Sequence, residues 1–374
     1  AALAMIWVLG FGCAVALGYQ LTAILASLRH LLRRDPEPSR LPPVSILKPI
    51  RGLDPGFAEA ILSHAVQDYP EYEILFGVSN PDDPAIAEIE KLRRNHPEVP
   101  ISLHLTPNSA PNGKVGTLAE LARHARHALL LVNDSDIRVP RGYLRAVVAP
   151  LEDPRVGVVT CLYRAAARRL PGIWEALGIA TDFAPSTLVA PFVGVKEFGL
   201  GSTLVFRRGD LERIGGFAAL AEYIADDYQL ARRITELGLR VHLSTTVVET
   251  TLQGDSWAGV WAHQLRWHRT IRVSRGAYIG LPITQASVWA VVAVAAGYPA
   301  WGGALLGVRL AMAVVAGWGV VRSQLVWRYF PLIPLRDFWG AAIWVAGLFG
   351  TTVTWRGRRL RLTPDGRIRE EPVI

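Results

Sequence analysis

The sequence predicts an α/β fold with a mainly parallel sheet, set between apolar segments long enough to cross a bilayer. Three observations predict it. Strand and helix signals alternate through a polar stretch, residues 29–280, in the pattern that builds βαβ units. Four runs without a charged side chain, 1–28, 281–308, 310–321 and 338–355, flank that stretch. Carboxylates recur where the strands run out, and open α/β sheets bind ligands beyond the carboxyl ends of their strands.

Composition narrows the class. Hydrophobic residues make up 51% of the 374, and mean hydropathy is +0.24, high for a soluble domain. The first apolar run exceeds the roughly 20 residues that a helix needs to cross a bilayer. Nothing basic precedes it, and it is longer than the apolar core of a signal peptide, so 1–28 reads as a transmembrane anchor. The net charge of +8 does not indicate nucleic acid, because the arginines gather beside the apolar runs. Arg29, Arg33, Arg34 and Arg40 follow the first run; Arg356, Arg358, Arg359 and Arg361 follow the last. Basic residues so placed face the cytoplasm and meet anionic lipid. The chain from residue 29 is therefore expected in the cytoplasm, with the basic tail 356–374 on the same side. That requires an even number of crossings over 281–355. Three apolar runs lie there, so one is expected to be interfacial, re-entrant or merged with a neighbour. Arg309 separates two of them and is expected near a span end, since a charge at the membrane centre costs a few kcal/mol. The two cysteines, Cys13 and Cys161, offer no disulfide framework and suit a reducing compartment.

The elements follow in order. Residues 43–48 read as a short buried strand and 57–66 as a helix. A second strand over 72–78 ends at Ser79-Asn-Pro-Asp-Asp83, and Pro84 opens a helix to about Asn95. Residues 101–106 form a strand, 115–126 a helix and 128–132 the next strand, followed by a helix over 140–150 and a strand over 156–163. Gly199-Leu-Gly-Ser-Thr203 reads as a glycine turn leading into a strand that reaches Arg207, and Gly215-Gly216 as a further turn. Residues 257–271, rich in Trp, His and Arg, read as an amphipathic interfacial segment extending to about 280.

Two acidic pairs stand out. Asp134-Ser-Asp136 stops an apolar strand abruptly, as a turn or as a divalent-cation site. Asn80, Asp82 and Asp83 also fall at a strand end, which strengthens the cation reading. Asp226-Asp227 stands where a helix begins; one aspartate can cap the helix while the other faces the cleft.

As an ordered set these pieces resemble family-two-type inverting glycosyltransferases of the GT-A fold, a Rossmann-like nucleotide-diphospho-sugar transferase domain. Within them they look most like the family-21 branch, the ceramide glucosyltransferases and bacterial hopanoid-biosynthesis glycosyltransferases. The stretches that carry the resemblance are Val44-Ser-Ile-Leu-Lys-Pro-Ile-Arg-Gly52, Gln67-Asp-Tyr-Pro70, Asp82-Asp-Pro-Ala85, Asp134-Ser-Asp-Ile-Arg138, Thr160-Cys-Leu-Tyr-Arg164, Ile224-Ala-Asp-Asp-Tyr228 and His263-Gln-Leu-Arg-Trp267.

The resemblance implies a UDP-sugar donor, a membrane-lipid acceptor and a divalent metal, Mg²⁺ or Mn²⁺, held by Asp134 and Asp136. It implies that Asp227 is the general base, with Asp226 beside it as neighbour or cap. Arg266 and Trp267 would offer a cation for the diphosphate and a flat apolar face for the acceptor. Lys48, Asn80, Asp82, Asp83, Lys114, Asp226 and His263 become candidates for substrate binding. Two departures bear on this. Asn80 stands where the family usually has a nucleoside-contacting aspartate. His263 stands at the first position of a (Gln/Arg)-x-x-Arg-Trp motif, a substitution nearer the hopanoid branch; it also reads as an interfacial histidine. Lys114 reads either as a nucleotide contact or as a solvated loop lysine. The transferred sugar is expected to be glucose or N-acetylglucosamine, and the acceptor a hopanoid polyol or a ceramide, at the cytoplasmic face of a bacterial inner membrane. A processive polysaccharide synthase of the same fold and a non-catalytic membrane scaffold are the competing readings.

Overall fold

The computed structural model describes residues 2–252, 254, 256–274, 276–355 and 357–370. In chain order it begins with α1 (Ala2–Leu32), β1 (Val44–Ile50), α2 (Phe57–Ala65), β2 (Tyr72–Val78), α3 (Ala85–Asn95) and β3 (Ile101–Leu105). Next come α4 (Gly113–His124), β4 (Leu129–Val132), α5 (Tyr143–Val148), β5 (Val156–Ala166), α6 (Leu170–Gly178) and α7 (Ala184–Val189). Then follow β6 (Leu204–Arg207), α8 (Arg208–Arg213), α9 (Asp226–Glu236), β7 (Arg240–Thr251) and α10 (Trp257–Ser274). The last part holds α11 (Ala286–Ala295), α12 (Pro299–Ala313), α13 (Leu325–Arg328), α14 (Ile333–Gly347), β8 (Thr352–Trp355) and β9 (Arg358–Leu362).

Contacts divide the chain into two units. One comprises residues 34–163, 196–253 and 366–374; the other comprises 1–33, 164–195 and 254–365. The block expected as one domain over 29–280 is thus interrupted, with residues 164–195 and those from 254 grouped with the apolar helices.

The first unit is built on a seven-stranded sheet in the order β3-β2-β1-β4-β6-β5-β7. β1 runs parallel to both β2 and β4, and β2 parallel to β3. β6 runs antiparallel to β4 and to β5. The sheet is therefore mixed rather than mainly parallel. β6 follows the turn at 199–203 and starts beside the carboxyl end of β4, where Leu204 pairs with Val132. Turn chemistry is legible in the sequence, but the identity of the paired strand is not. β2 and β4 are buried along their whole length, as expected for strands covered on both faces. Successive side chains serve opposite faces. Ile46, Ile74 and Leu131 enter the core with Ile61, Ile89 and Val147, whereas Leu47, Leu75 and Leu130 enter the core with Leu118, Phe206 and Leu230. Each such burial contributes about 1.5–3 kcal/mol.

The second unit holds three helices long and apolar enough to cross a membrane: Leu9–Leu32, Leu170–Val193 and Pro299–Val320. A bent pair, Tyr278–Thr284 and Ala286–Ala295, meets the same test with a 66° break. This redraws the expected spans. The run 281–308 is not one helix, because it bends before Ala286 and turns at Gly297, whose φ is 89°. The run 310–321 merges with the end of its neighbour. The run 338–355 gives only part of the 15-residue α14, short of a span, before the antiparallel hairpin β8–β9. Helix Leu170–Val193 was masked in the sequence by Glu175 and Asp182. Arg358, Arg359 and Arg361 lie on β9, and Arg356 lies outside the described residues.

Arg309 is not near a span end. It sits midway along Pro299–Val320 at 1% exposure, 2.6 Å from Asp182 and 2.8 Å from Asp337, and donates to the Thr181 carbonyl at 3.1 Å. Arg336 reaches Asp182 at 3.1 Å. Two carboxylates and a carbonyl offset the desolvation that the sequence-level expectation charged to a lone arginine.

Candidate active site

The candidate site forms in the first unit, beyond the carboxyl ends of β1 and β4. β4 ends at Val132, and the next residue, Asn133, is buried and held by its side chain. Its amide donates to the Tyr143 hydroxyl at 2.9 Å and the Ser202 carbonyl at 3.0 Å, and its Oδ1 lies 3.0 Å from His64 Nε2. Asp134 follows, fixed on two sides. Its N–H donates to the Gly201 carbonyl at 3.0 Å, and its carbonyl accepts from the Lys48 ammonium at 2.9 Å. Lys48 is fully buried. Burial lowers its pKa to about 7, against the opposing pull of Asp136 and Asp134.

The structure brings Lys114, Asp134, Asp226 and Asp227 together. Lys114 is not on a loop: α4 starts two residues earlier than expected, which puts Lys114 in its first turn. Asn112 caps that helix by accepting from Val115 N–H at 3.3 Å, and its amide donates to the Tyr223 carbonyl at 2.8 Å. A lysine at a helix N-terminus opposes the macrodipole. It is held there by two carboxylates, Asp134 at 2.7 Å and Asp226 at 3.3 Å. Burial would lower its pKa, but Asp134 and Asp226 outweigh burial and hold it above the usual lysine range.

Asp226 and Asp227 open α9. Neither caps it: the capping position is Ala225, without a side-chain bond. Asp227 instead turns its carboxylate to the turn at 199–203, where Oδ2 accepts from Gly201 N–H at 2.9 Å; Oδ1 accepts from Tyr228 N–H at 2.7 Å. Burial and the neighbouring Asp226 charge push its pKa up to about 6, with Lys114 opposing. A carboxylate so tuned can accept a proton near neutral pH.

Asp136 lies two residues beyond Asp134 and accepts from the Thr250 hydroxyl. Burial and the Asp134 charge raise its pKa. Among the described residues no group of three or more His, Cys, Asp or Glu side chains is placed to hold a metal ion by itself. Two carboxylates nonetheless fit Mg²⁺ or Mn²⁺, which are commonly held by one or two carboxylates plus substrate phosphates rather than by a full protein cage.

The other candidates divide. Asp83 is buried and occupied by backbone, accepting from Gly52 N–H at 2.8 Å and Ala85 N–H at 3.0 Å. It ties the end of β1 to the start of α3. Asn80 and Asp82 are exposed beside it, joined in a turn by the Asp82 N–H donating to Asn80 Oδ1 at 3.0 Å. His263, Arg266 and Trp267 lie on α10, in the second unit. His263 Nδ1 is 2.6 Å from the buried Glu175, and its ring lies 4.6 Å from that of Trp267. Glu175, which pairs with His263, was not singled out in the sequence, although a carboxylate inside an otherwise apolar helix is itself a signal. Thr250, the partner of Asp136, was not singled out either, and Gly199 and Gly201 were legible only as a turn.

A groove of about 720 Å³ lined by Gln67, Tyr72, His96 and Arg141 opens at the amino ends of β2 and β3, the opposite end of these strands from the acidic cluster. Asp68, Glu71 and Glu98 also line it, but among the described residues no three such side chains are placed to share a metal ion.

Comparison with known proteins gives the class to which this fold belongs, a sugar transferase. The description of glycosyl transferase family 21 matches residues 8–368. Ceramide glucosyltransferase 1 of Caenorhabditis elegans is 26% identical over 359 residues, covering 91% of this chain and 76% of that protein. Ceramide glucosyltransferase 3 of the same organism is 27% identical over 222 residues, 58% of this chain and 47% of the relative. Beta-monoglucosyldiacylglycerol synthase of Synechocystis is 25% identical over 233 residues, 59% of this chain and 46% of the relative. In fold, the chain is similar to the mannosyltransferase PcManGT of Pyrobaculum calidifontis, solved with GDP-Man and Mn²⁺. The TM-score is 0.55 at 20% identity, over 93% of this chain and 98% of that one. The chain belongs to glycosyl transferase family 21, has the GT-A-like α/β fold, and is a hexosyltransferase.

Proposed function

We propose that this protein transfers a single hexose from a UDP-sugar to a hydroxyl of a membrane lipid, with inversion, and that Asp227 is the general base. The observation that carries the proposal is the placement of Asp227: a carboxylate raised toward neutral pKa, anchored by Gly201 N–H, in one cluster with Asp134 and Lys114. An alcohol is a poor nucleophile, and a positioned base is worth about 10²–10⁴-fold in rate. Asp227 takes the proton of the acceptor hydroxyl as its oxygen attacks the anomeric carbon. The bond to the diphosphate breaks on the opposite side and UDP leaves. One such base suffices for inversion, with no covalent intermediate.

Asp134 and Asp136 would hold the divalent ion, which when bound offsets the charge of the leaving diphosphate. Lys114 is positioned to add a second positive charge beside that carboxylate. Relatives named ceramide glucosyltransferase and beta-monoglucosyldiacylglycerol synthase support a lipid acceptor and favour glucose. The long apolar helices support a membrane setting, and Arg29 in the last turn of the first of them, with Arg33 and Arg34 just after it, supports a cytoplasmic donor. Arg266 and Trp267 keep the roles their motif implies, a cation for the diphosphate and an apolar face for the acceptor.

The test is transfer by detergent-purified protein with Mn²⁺ or Mg²⁺. Labelled UDP-glucose and UDP-N-acetylglucosamine are each offered with ceramide, diacylglycerol and a hopanoid polyol. The expected result is labelled lipid with one donor, lost in Asp227→Asn. Labelled polymer, or no UDP release with any pair, would refute the proposal.

A further inference from the structure

The stretch Gly199-Leu200-Gly201 was legible only as a turn, yet it touches both catalytic aspartates. From Gly201 the N–H donates to Asp227 Oδ2 at 2.9 Å, and the carbonyl accepts the Asp134 N–H at 3.0 Å. One residue therefore spans the carboxylate assigned to the base and the backbone of the metal-bearing turn.

Space explains why both positions are glycine. Neither has a positive φ, so backbone strain does not require it. A Cβ on Gly201 would stand 2.8 Å from Asp134 Oδ2. A Cβ on Gly199 would stand 2.5 Å from the Asp227 carbonyl and 2.9 Å from Leu204. Each glycine thus admits a different aspartate.

The turn is itself fixed from β5. Leu200 N–H donates to the buried Thr160 hydroxyl at 3.1 Å, and the Ser202 hydroxyl donates to the Cys161 carbonyl at 2.9 Å. Thr203 Oγ1 lies 2.9 Å from the Tyr143 hydroxyl, which also accepts from Asn133. The chain has tied this turn to the two strands that flank it, β4 and β5.

We propose that Gly199 and Gly201 are positioning residues with separate duties: Gly201 seats Asp134 for the donor and its metal, and Gly199 seats the start of α9 so that Asp227 meets the acceptor. The inference rests on the roles assigned above to Asp134 and Asp227.

The two duties predict opposite kinetic signatures. Gly201→Ala displaces a carboxylate tip and leaves the backbone in place, so it should weaken Mn²⁺-dependent UDP binding about tenfold, read by titration calorimetry, with the melting temperature retained. Gly199→Ala presses on the backbone of α9. It should lower kcat about 10²-fold, the usual penalty for a displacement of about 1 Å, with UDP binding within about threefold of wild type. Thr160→Val removes the hydroxyl that holds Leu200 without changing volume; kcat should fall about tenfold and return in Thr160→Ser. The two serve should Gly199→Ala not fold.

Wild-type UDP affinity in Gly201→Ala would overturn the inference. So would two glycine variants that change binding and kcat in the same proportion, as a general loosening of the turn requires. If Asp227→Asn keeps the wild-type transfer rate, the functional reading falls and this inference with it. If Asp227→Asn is inactive while the glycine variants behave alike, only the inference falls.

Discussion

Asp227 stands in the first turn of α9 beside Asp226. Its carboxylate sits against Gly201 N–H, and burial together with Asp226 raises its pKa. A base must be ionised to act, so kcat/KM should fall as pH drops through about 6, where an ordinary aspartate would hold activity to about 4. Lys114 lowers the Asp227 pKa. Removing its charge in Lys114→Met should therefore move the acid limb of the kcat/KM profile to higher pH, and also weaken donor binding. A limb that stays in place would separate Lys114 from the base. Asp227→Asn should reduce transfer by at least about 10²-fold while UDP still binds, as measured by calorimetry beside the rate assay. Equal loss of binding would make Asp227 a donor ligand instead.

At the scale of the elements, short polar links hold the strand ends in place. Asp83 joins the end of β1 to the start of α3 through two backbone N–H groups. Asp83→Ala leaves both donors without that partner in a buried place and should cost about 1–3 kcal/mol, read as a lower unfolding temperature. If it acts only as a link, UDP affinity should stay near wild type; a tenfold loss of affinity at unchanged stability would restore it to the nucleoside site. Asn112 caps α4 and reaches the Tyr223 carbonyl, so it sets the helix that carries Lys114. Asn112→Ala should cost about 1 kcal/mol in stability by denaturant titration.

For the molecule as a whole, the unit of apolar helices is held by charge as well as by packing. Arg309 bridges Asp182 and Asp337 deep among helices that read as membrane spans. Removing one member leaves uncompensated charge. Arg309→Met should lower stability by about 3–5 kcal/mol, seen as loss of monodisperse protein in detergent. Replacing Asp182 and Asp337 by Asn in the same background should recover part of it. No recovery would mean that the guanidinium is held for its shape.

Much of this was legible in local sequence. The strand over 72–78 was read with the bounds the structure gives, and the helix read over 57–66 is Phe57–Ala65; Asp134-Ser-Asp136 and Asp226-Asp227 stood out as carboxylates at element ends. These signals are local: a strand end, a turn and a helix start are each set within a few residues. What needed the tertiary structure was always a matter of partners distant in the chain. The antiparallel pairing of β6 with β4 makes the sheet mixed. The pairing of Arg309 with Asp182 places a charge inside an apolar helix, and that same Asp182, with Glu175, hid helix Leu170–Val193. Lys114 was a candidate in the sequence through the family resemblance, but its partners Asp134 and Asp226, distant in the chain, were visible only in the tertiary structure. By itself the sequence determined which residue types could do the chemistry and where the chain would turn. Only the tertiary structure decided which carboxylates stand together, because charge, burial and close approach depend on distances that no local pattern encodes.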